Sequence, residues 1–404
     1  MIADSGASHP MSALLRFMAV SHFPPLEGGS ARSCALLFRG AAARGHEVHV
    51  LASSTPEYRS YDAEASHLNP PSLSVKRYEV PYFNINQYDI NEFLRFQQIE
   101  HEGVRQELPR LIDEVRPGFV VCAHETLAGA VIDIAHAKGL PCALMLRGSP
   151  TWQIVTNVYP REMAEAYLRL YASADLIIPV GRYMQDGLAA RGIGNLRHIP
   201  NLLDIQEFSP GPRDESLLDR YGIPRDGVVL LHCSLMQARK RPHDIIESAA
   251  IALPKADKLI YLFLGGGERE VELLEAASSR GFGDRVRFIP RVPYEAMPDH
   301  IRLADMVALA SEGEGIARVY LETQACGRVL VSSDIPAGRE VVDHGRTGLL
   351  FRTGDPSDLA AQILRAAGDP PLRTRIGEAS RKRVQRHDIG SVIDQYLAVF
   401  SALR

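Results

Sequence analysis

Leu14-Leu15-Arg16-Phe17-Met18-Ala19-Val20 runs into Ser21-His22-Phe23-Pro24-Pro25 and turns at Gly28-Gly29. A helical stretch follows over Ser30–Ala43, Gly45 stops it, and Val48–Ala52 is again apolar. An apolar run of strand length, a glycine turn, a helix and a second strand make a βαβ unit. Working outward, the pattern recurs. Phe119–Ala123 reads as a strand, Leu127–Lys138 as a helix and Cys142–Leu146 as a strand; Ala164–Tyr171 is helical and Leu176–Pro179 a strand. Residues 53–90 break the rhythm with Tyr, Ser, Asn and Pro and read as a long excursion near a ligand. Helical periodicity resumes over Glu92–Val115.

Phe208–Asp214 has the composition of a linker, and a second alternating series starts after it. Strands are expected at Val228–Leu231, Leu259–Leu264, Val286–Ile289, Asp305–Ala310 and Val329–Ser332. Helices are expected at Pro242–Leu253, Val271–Ser278 and Arg318–Cys326. Repeated alternation of this kind implies parallel sheets covered by helices. The fold class is therefore α/β, with two Rossmann-like halves of roughly 200 residues each. Ligands of doubly wound sheets bind at the carboxyl ends of the strands, so two facing sheets place a ligand in the cleft between them.

Composition excludes several function classes. The chain has 404 residues, 46% hydrophobic, with Lys+Arg 45 against Asp+Glu 49. With no basic excess, an electrostatically driven nucleic-acid binder is not expected. The longest apolar runs, such as Leu176–Val180 and Val228–Leu231, fall far short of the ~18 residues of a membrane helix. The first ten residues lack the basic-then-apolar order of a signal peptide, and Met11 is a candidate start. Five scattered cysteines without a CxxC suggest neither a disulfide framework nor a zinc site, and point to a reducing cytoplasm. Cys122, Cys142 and Cys233 lie in strand-like runs and are expected to be buried. There is no Gly-Lys for a phosphate loop, no HExxH, no GxSxG and no complete GxGxxG after the first strand. No Asp-x-Asp is available to hold a divalent metal on a diphosphate.

The segment Ser311-Glu312-Gly313-Glu314-Gly315-Ile316-Ala317-Arg318-Val319-Tyr320-Leu321-Glu322 follows an apolar strand and opens a helix. On a helix, Glu314 and Glu322 stand about 12 Å apart in rise and about 80° in rotation. They cannot form the retaining-glycosidase pair, which needs ~5 Å. They suit two separated parts of one elongated ligand, with the backbone N–H groups of Gly315, Ile316, Ala317 and Arg318 between them as an anion site at the helix start. A sugar at Glu314, a phosphate over the helix start and a ribose at Glu322 describe a nucleotide-sugar.

The segment resembles the donor-binding signature of glycosyltransferase family 4, of GT-B fold, and the resemblance covers nearly the whole chain. Phe23-Pro24-Pro25 and Gly28-Gly29 resemble the glycine loop that approaches the donor phosphates. Ala174–Ile178, Ile199–Asn201 and Phe208–Pro210 resemble the end of the first domain; Gly265-Gly266-Gly267-Glu268 and Val286–Phe288 resemble the middle of the second. Gly338–Val342 and Thr347–Leu350 resemble its end, and Val392–Leu403 the helix that crosses back to the first domain. The resemblance implies two Rossmann-like domains facing a cleft: residues 1–205 for the acceptor, 206–385 for the donor, and a crossing helix in 386–404. It implies a retaining hexosyltransferase-like enzyme that moves a sugar from a nucleotide diphosphate by front-face displacement, with no cofactor or metal. Glu314 would contact the donor sugar and Glu322 the ribose.

The chain departs from the family in three places. Ser234 stands where a phosphate-binding Arg is usual, leaving Arg239 and Lys240 as the cations for the leaving group. Arg147 stands where a His is usual and cannot act as a base. Ala317 replaces a glycine, and Arg318 adds a cation at the phosphate end. The expected catalytic group is Glu314, Lys240 and Arg239. The expected donor contacts are Gly28, Gly29, Ser234, Gly266, Gly315, Ile316, Ala317, Arg318 and Glu322. His124, Arg147 and Trp152, with residues 53–110 and the Arg147–Tyr159 loop, are expected on the acceptor side. Plainer readings stand beside these: a helix cap for the glutamates, turns for the glycines, a solvated charge run at Arg239-Lys240-Arg241, and structural burial for His124, Arg147 and Trp152. The acceptor is left open among small metabolite, glycan and lipid, the last needing peripheral membrane contact. A sugar-nucleotide epimerase and a non-catalytic nucleotide-sugar-binding subunit are the alternative functions.

Overall fold

A computed structural model describes residues 14–24, 28–55, 68–81 and 90–403. Among these residues two six-stranded parallel sheets carry the fold. The first contains β1 (Arg16–Val20), β2 (Glu47–Ser54), β3 (Leu73–Glu79), β4 (Phe119–Cys122), β5 (Cys142–Leu146) and β6 (Leu176–Pro179), in the order β3-β2-β1-β4-β5-β6. The second contains β7 (Val228–Cys233), β8 (Leu259–Leu264), β9 (Val286–Ile289), β10 (Met306–Leu309), β11 (Val329–Ser333) and β12 (Leu349–Phe351), in the order β12-β11-β10-β7-β8-β9. Read from its other edge, the second sheet repeats the order of the first. The direction of winding reverses between β1 and β4, and again between β7 and β10. At each reversal the loops leave in opposite directions and open a crevice beyond the strands' carboxyl ends.

The central strands are apolar on both faces because helices cover both faces. All five residues of β5 and all six of β8 are buried. β3 is a correction to the sequence reading, which took residues 53–90 as irregular. As an edge strand it buries Leu73 and Tyr78 but carries exposed Ser74, Lys76 and Glu79, so its apolar signal is thin. Residues 56–67 and 82–89 of that stretch, with Pro25 and Met11, lie outside the described residues.

One helix packs against the first sheet from the far end of the sequence. Ile389–Ser401 sends Val392, Ile393, Tyr396, Leu397 and Phe400 into the apolar cluster of the first sheet, beside helix Gly29–Ala43. Phe400 lies 5.5 Å from Phe17 and 5.4 Å from Phe119, ring centre to ring centre. The end of the chain is thus part of the core of its beginning. A further cluster joins Trp152, Val180, Met184 and Leu203 to the apolar face of the second sheet, so the two halves share a continuous core at their junction. All five cysteines are free and buried. Among the described residues no helix is long and apolar enough to cross a membrane.

Candidate active site

The crevice between β7 and β10 gathers the expected catalytic residues. After β7 the chain makes a short turn, Ala238–Lys240, before helix Pro242–Ala252. Arg241 precedes a proline, which disfavours the right-handed helical conformation, and it adopts φ 47° and ψ 49°. Asp244 fixes its guanidinium through bonds of 2.7 and 3.0 Å, and Glu312 through one of 2.9 Å. With Arg241 pinned, Lys240 Nζ donates to Glu314 Oε1. Arg239 Nη1 donates to the Gly313 carbonyl at 2.6 Å and lies 3.4 Å from Glu314 Oε2. Burial pushes the Glu314 carboxyl up, but Lys240 and Arg239 outweigh it and hold the group below its ordinary value. The result is a buried carboxylate that stays ionised between two cations.

Glu314 is not on a helix, which corrects the sequence reading. The helix spans Arg318–Ala325 with Ala317 as its N-cap, so Gly315 and Ile316 precede its first turn. The rise and rotation expected for Glu314 and Glu322 therefore do not apply. Gly315 instead meets the first half: a Cβ there would lie 2.1 Å from the Arg147 carbonyl, so glycine alone permits this approach.

Arg318 is a second correction. Rather than standing free for phosphate, it is 8% exposed and fully engaged. Its Nε donates to Glu322 at 3.2 Å, its Nη2 to the Tyr294 hydroxyl at 2.5 Å, and its Nη1 to Ser33 Oγ and the Leu202 carbonyl at 3.1 Å each. Glu322 also accepts from Tyr294 at 2.8 Å and is 2% exposed. A buried carboxylate at this point required a partner, and Arg318, one helical turn away, supplies it. Because Ser33 lies on helix Gly29–Ala43, the pair also joins the halves. Arg318 runs alongside Gly29, and Gly28 caps that helix at φ 128°, a conformation that favours glycine.

Ser234 and Gly266 come together in the wall of the same crevice. Gly266 accepts from the Met236 N–H at 2.9 Å. His232 Nδ1 lies 2.9 Å from the Ala308 carbonyl and must donate to it, which leaves Nε2 to accept from Ser234 Oγ at 2.9 Å. Burial pushes His232 down to about 4, in keeping with that neutral tautomer.

The crevice between β1 and β4 holds His22, Glu100 and His124. His22 follows β1 and His124 follows β4, and their rings meet edge to face with centroids 3.9 Å apart. Glu100 reaches them from helix Ile90–Val115, its Oε1 4.0 Å from His124 Nε2. Burial pushes His22 down to about 4, His124 well below its ordinary value, and Glu100 up to about 7.

Arg147 and Trp152 belong to the seam between the halves. Glu125 accepts from the N–H groups of Arg147, Gly148 and Thr151 at 2.7, 2.8 and 3.1 Å, folding this loop around one carboxylate. Arg147 Nη2 donates to Asn201 Oδ1 at 2.7 Å, and Asn201 Nδ2 donates across to the Ile316 carbonyl at 3.2 Å. Trp152 sits on helix Thr151–Val155, is 6% exposed and packs on Gly313, where a Cβ would lie 2.2 Å from the indole. The Tyr183 hydroxyl donates to the Glu314 carbonyl, and the Glu340 carboxylate accepts from the Arg182 and Tyr183 N–H groups at 2.8 and 3.0 Å.

Sequence reasoning missed His22, Glu100, Glu125, Tyr183 and Tyr294. His22 carried a usable signal, since it follows its strand as His124 does. Glu100 lies inside a long helix among other charged residues and carried none.

Comparison with known proteins matches the two halves separately. The family described as Glycosyl transferase 4-like domain matches residues 28–201, and Glycosyl transferases group 1 matches residues 214–383. D-inositol 3-phosphate glycosyltransferase 1 of Catenulispora acidiphila is 29% identical over 327 residues, 72% of this chain and 76% of that one. N-acetyl-alpha-D-glucosaminyl L-malate synthase of Bacillus anthracis is 23% identical over 382 residues, 93% of this chain and 94% of that one. Matches to further D-inositol 3-phosphate glycosyltransferases span about half of those chains. Anabaena HepE, solved in complex with UDP, superimposes with a TM-score of 0.75 at 17% identity, covering 96% of this chain and 100% of that one. Matched along both halves by models of one enzyme class, and folded as its members are, the chain belongs to the family 4 glycosyltransferases of GT-B fold.

Proposed function

We propose that this enzyme transfers a sugar, with retention, from a nucleoside diphosphate donor to a small anionic acceptor that bears a hydroxyl group. The observation that carries the reading is the Lys240–Glu314–Arg239 cluster at the β7/β10 crevice. Two cations around one carboxylate leave a net positive charge where a diphosphate would lie. The carboxylate, kept ionised, accepts hydrogen bonds from the hydroxyls of the sugar. As the glycosidic bond breaks, charge gathers on the departing phosphate, and Lys240 and Arg239 stabilise it in a site already arranged for it. The same phosphate takes the proton of the incoming hydroxyl on the same face of the sugar. The cations do on the diphosphate what an Asp-x-Asp-bound metal does elsewhere, so the step asks for none there. Contacts across the seam, such as Asn201 to Ile316, would keep water from the donor.

The names of the relatives favour the acceptor class, since inositol 3-phosphate and malate are both small, anionic and hydroxylated. HepE structures with UDP and UDP-glucose make uridine the first base to try. The five free, buried cysteines suit a reducing compartment such as the cytoplasm. Thermal-shift screening of UDP, GDP, ADP and their sugars tests the donor, because a ligand of the folded state stabilises it by mass action. Mass spectrometry of reactions with inositol phosphates and hydroxy acids tests the transfer. A sugar-nucleotide converted to another without an acceptor, or no nucleotide-dependent stabilisation at all, would overturn the reading.

A further inference from the structure

We propose that the β1/β4 crevice is a site for a divalent transition-metal ion of the zinc class, held by His22, His124 and Glu100. Each residue offers one ligand atom, and the three atoms lie within 4.8 Å of one another. The Nε2 atoms of the two imidazoles face each other directly, although neither ring has another Nε2 partner among the described residues except the Glu100 carboxylate, 4.0 Å from His124. Two facing imidazole nitrogens share at most one proton, whereas one ion takes a lone pair from each. His124 Nδ1 lies 2.9 Å from Thr126 Oγ1, so an Nδ1–H tautomer directs its Nε2 lone pair at the site. Such a bond to the far ring nitrogen is what orients a metal-bound histidine. Glu100 is 3% exposed, takes a 3.3 Å bond from Ser53 and forms no ion pair with lysine or arginine among the described residues. A cation in the crevice would neutralise this buried carboxylate.

Two imidazoles and a carboxylate are a zinc-type ligand set that leaves a fourth, open position. Its ligand bonds of about 2.0–2.2 Å require the two facing rings to part as the ion enters. His22 and His124 keep partial exposure while Glu100 is buried, which puts the open position on the imidazole side. It would take an anionic oxygen, from a carboxylate or a phosphate. An ion here departs from the expectation of a metal-free chain; the missing Asp-x-Asp bears on the donor's diphosphate and not on this crevice.

The ion site stands without the functional reading; its use by an acceptor anion rests on that reading. The test starts from the full chain stripped with a chelator and titrated with Co(II) and Zn(II). One equivalent of Co(II) should bind with visible ligand-field bands, and Zn(II) should displace it. Glu100→Gln and His124→Gln should each weaken Co(II) binding at least a hundredfold, and Thr126→Val by about tenfold. Thermal melting and the shift produced by UDP check that each variant is folded and that the other crevice is intact. Absence of stoichiometric binding by the native chain, or equal binding by a folded Glu100→Gln/His124→Gln variant, would overturn the site. Either result with an intact UDP shift would leave the donor reading standing.

Discussion

The two crevices occupy the same place in the same strand order, yet they are furnished in opposite ways. Between β7 and β10 the groups are permanently charged and already paired: Lys240 and Arg239 with Glu314, and Arg318 with Glu322. Between β1 and β4 the groups are imidazoles and a buried carboxyl, with no fixed cation paired to them among the described residues. One sheet order thus presents two different chemistries, because the loops rather than the strands supply the side chains.

Removing one member of a pair is the sharpest way to break this contrast. Arg318→Ala leaves Glu322 buried without its cation and removes the bonds to Ser33 and Leu202; it should cost about 3–5 kcal/mol, read as a lower midpoint in denaturant. An unfolding free energy within about 1 kcal/mol of the native value would show that the pair is not what joins the halves.

Acid should act next most strongly. His232 and His387 are nearly fully buried and pushed down to about 4. Unfolded, both take up protons near pH 6.5, while the folded chain resists until about pH 4. Their contribution is therefore complete above pH 6.5 and is lost as the pH falls toward 4, on the order of 3 kcal/mol each. Stability curves should slope across that window, and His387→Gln should flatten the slope. An unchanged slope would mean that His387 titrates alike in both states.

Glu314→Ala and Lys240→Ala should each lower turnover at least a hundredfold, about 2.7 kcal/mol of barrier, in protein that still melts cooperatively. Near-native turnover in both would remove the charged crevice from the chemistry. Gly315→Ala should have the smallest effect, about 1–3 kcal/mol of overpacking at the seam, seen as a wider solution scattering profile and a raised KM for the donor. An unchanged profile would show that the seam yields without opening.

Much of the fold could be read from the sequence because both faces of its central strands are covered. β5 and β8, inside their sheets, were legible residue for residue as continuous apolar runs, and the edge strands β6 and β9 were legible in their bounds as well. β3 was not, since only Leu73 and Tyr78 of it are buried and exposed Ser74, Lys76 and Glu79 interrupt the apolar signal. The site was legible in its members but not in their partners. Glu314 and Lys240 could be proposed from their places after strands, and the structure brings them together. Arg318 also looked like a phosphate ligand, because sequence does not reveal that Tyr294, Ser33 and Leu202 surround it. Glu125 and Glu100 gain meaning only from groups that folding brings near, and no spacing announces such contacts.

Helix Ile389–Ser401 has a consequence for how the polypeptide is made. The aromatic face formed by Phe17, Phe38 and Phe119 is complete in sequence long before the segment that covers it. At a synthesis rate of about 5–20 residues per second, the ribosome needs roughly 14–54 s to reach that segment. During this interval a nascent chain displays a sticky groove with its natural occupant still unbuilt. Chaperone capture, or pairing between neighbouring nascent chains on one message, is therefore a hazard set by the order of translation.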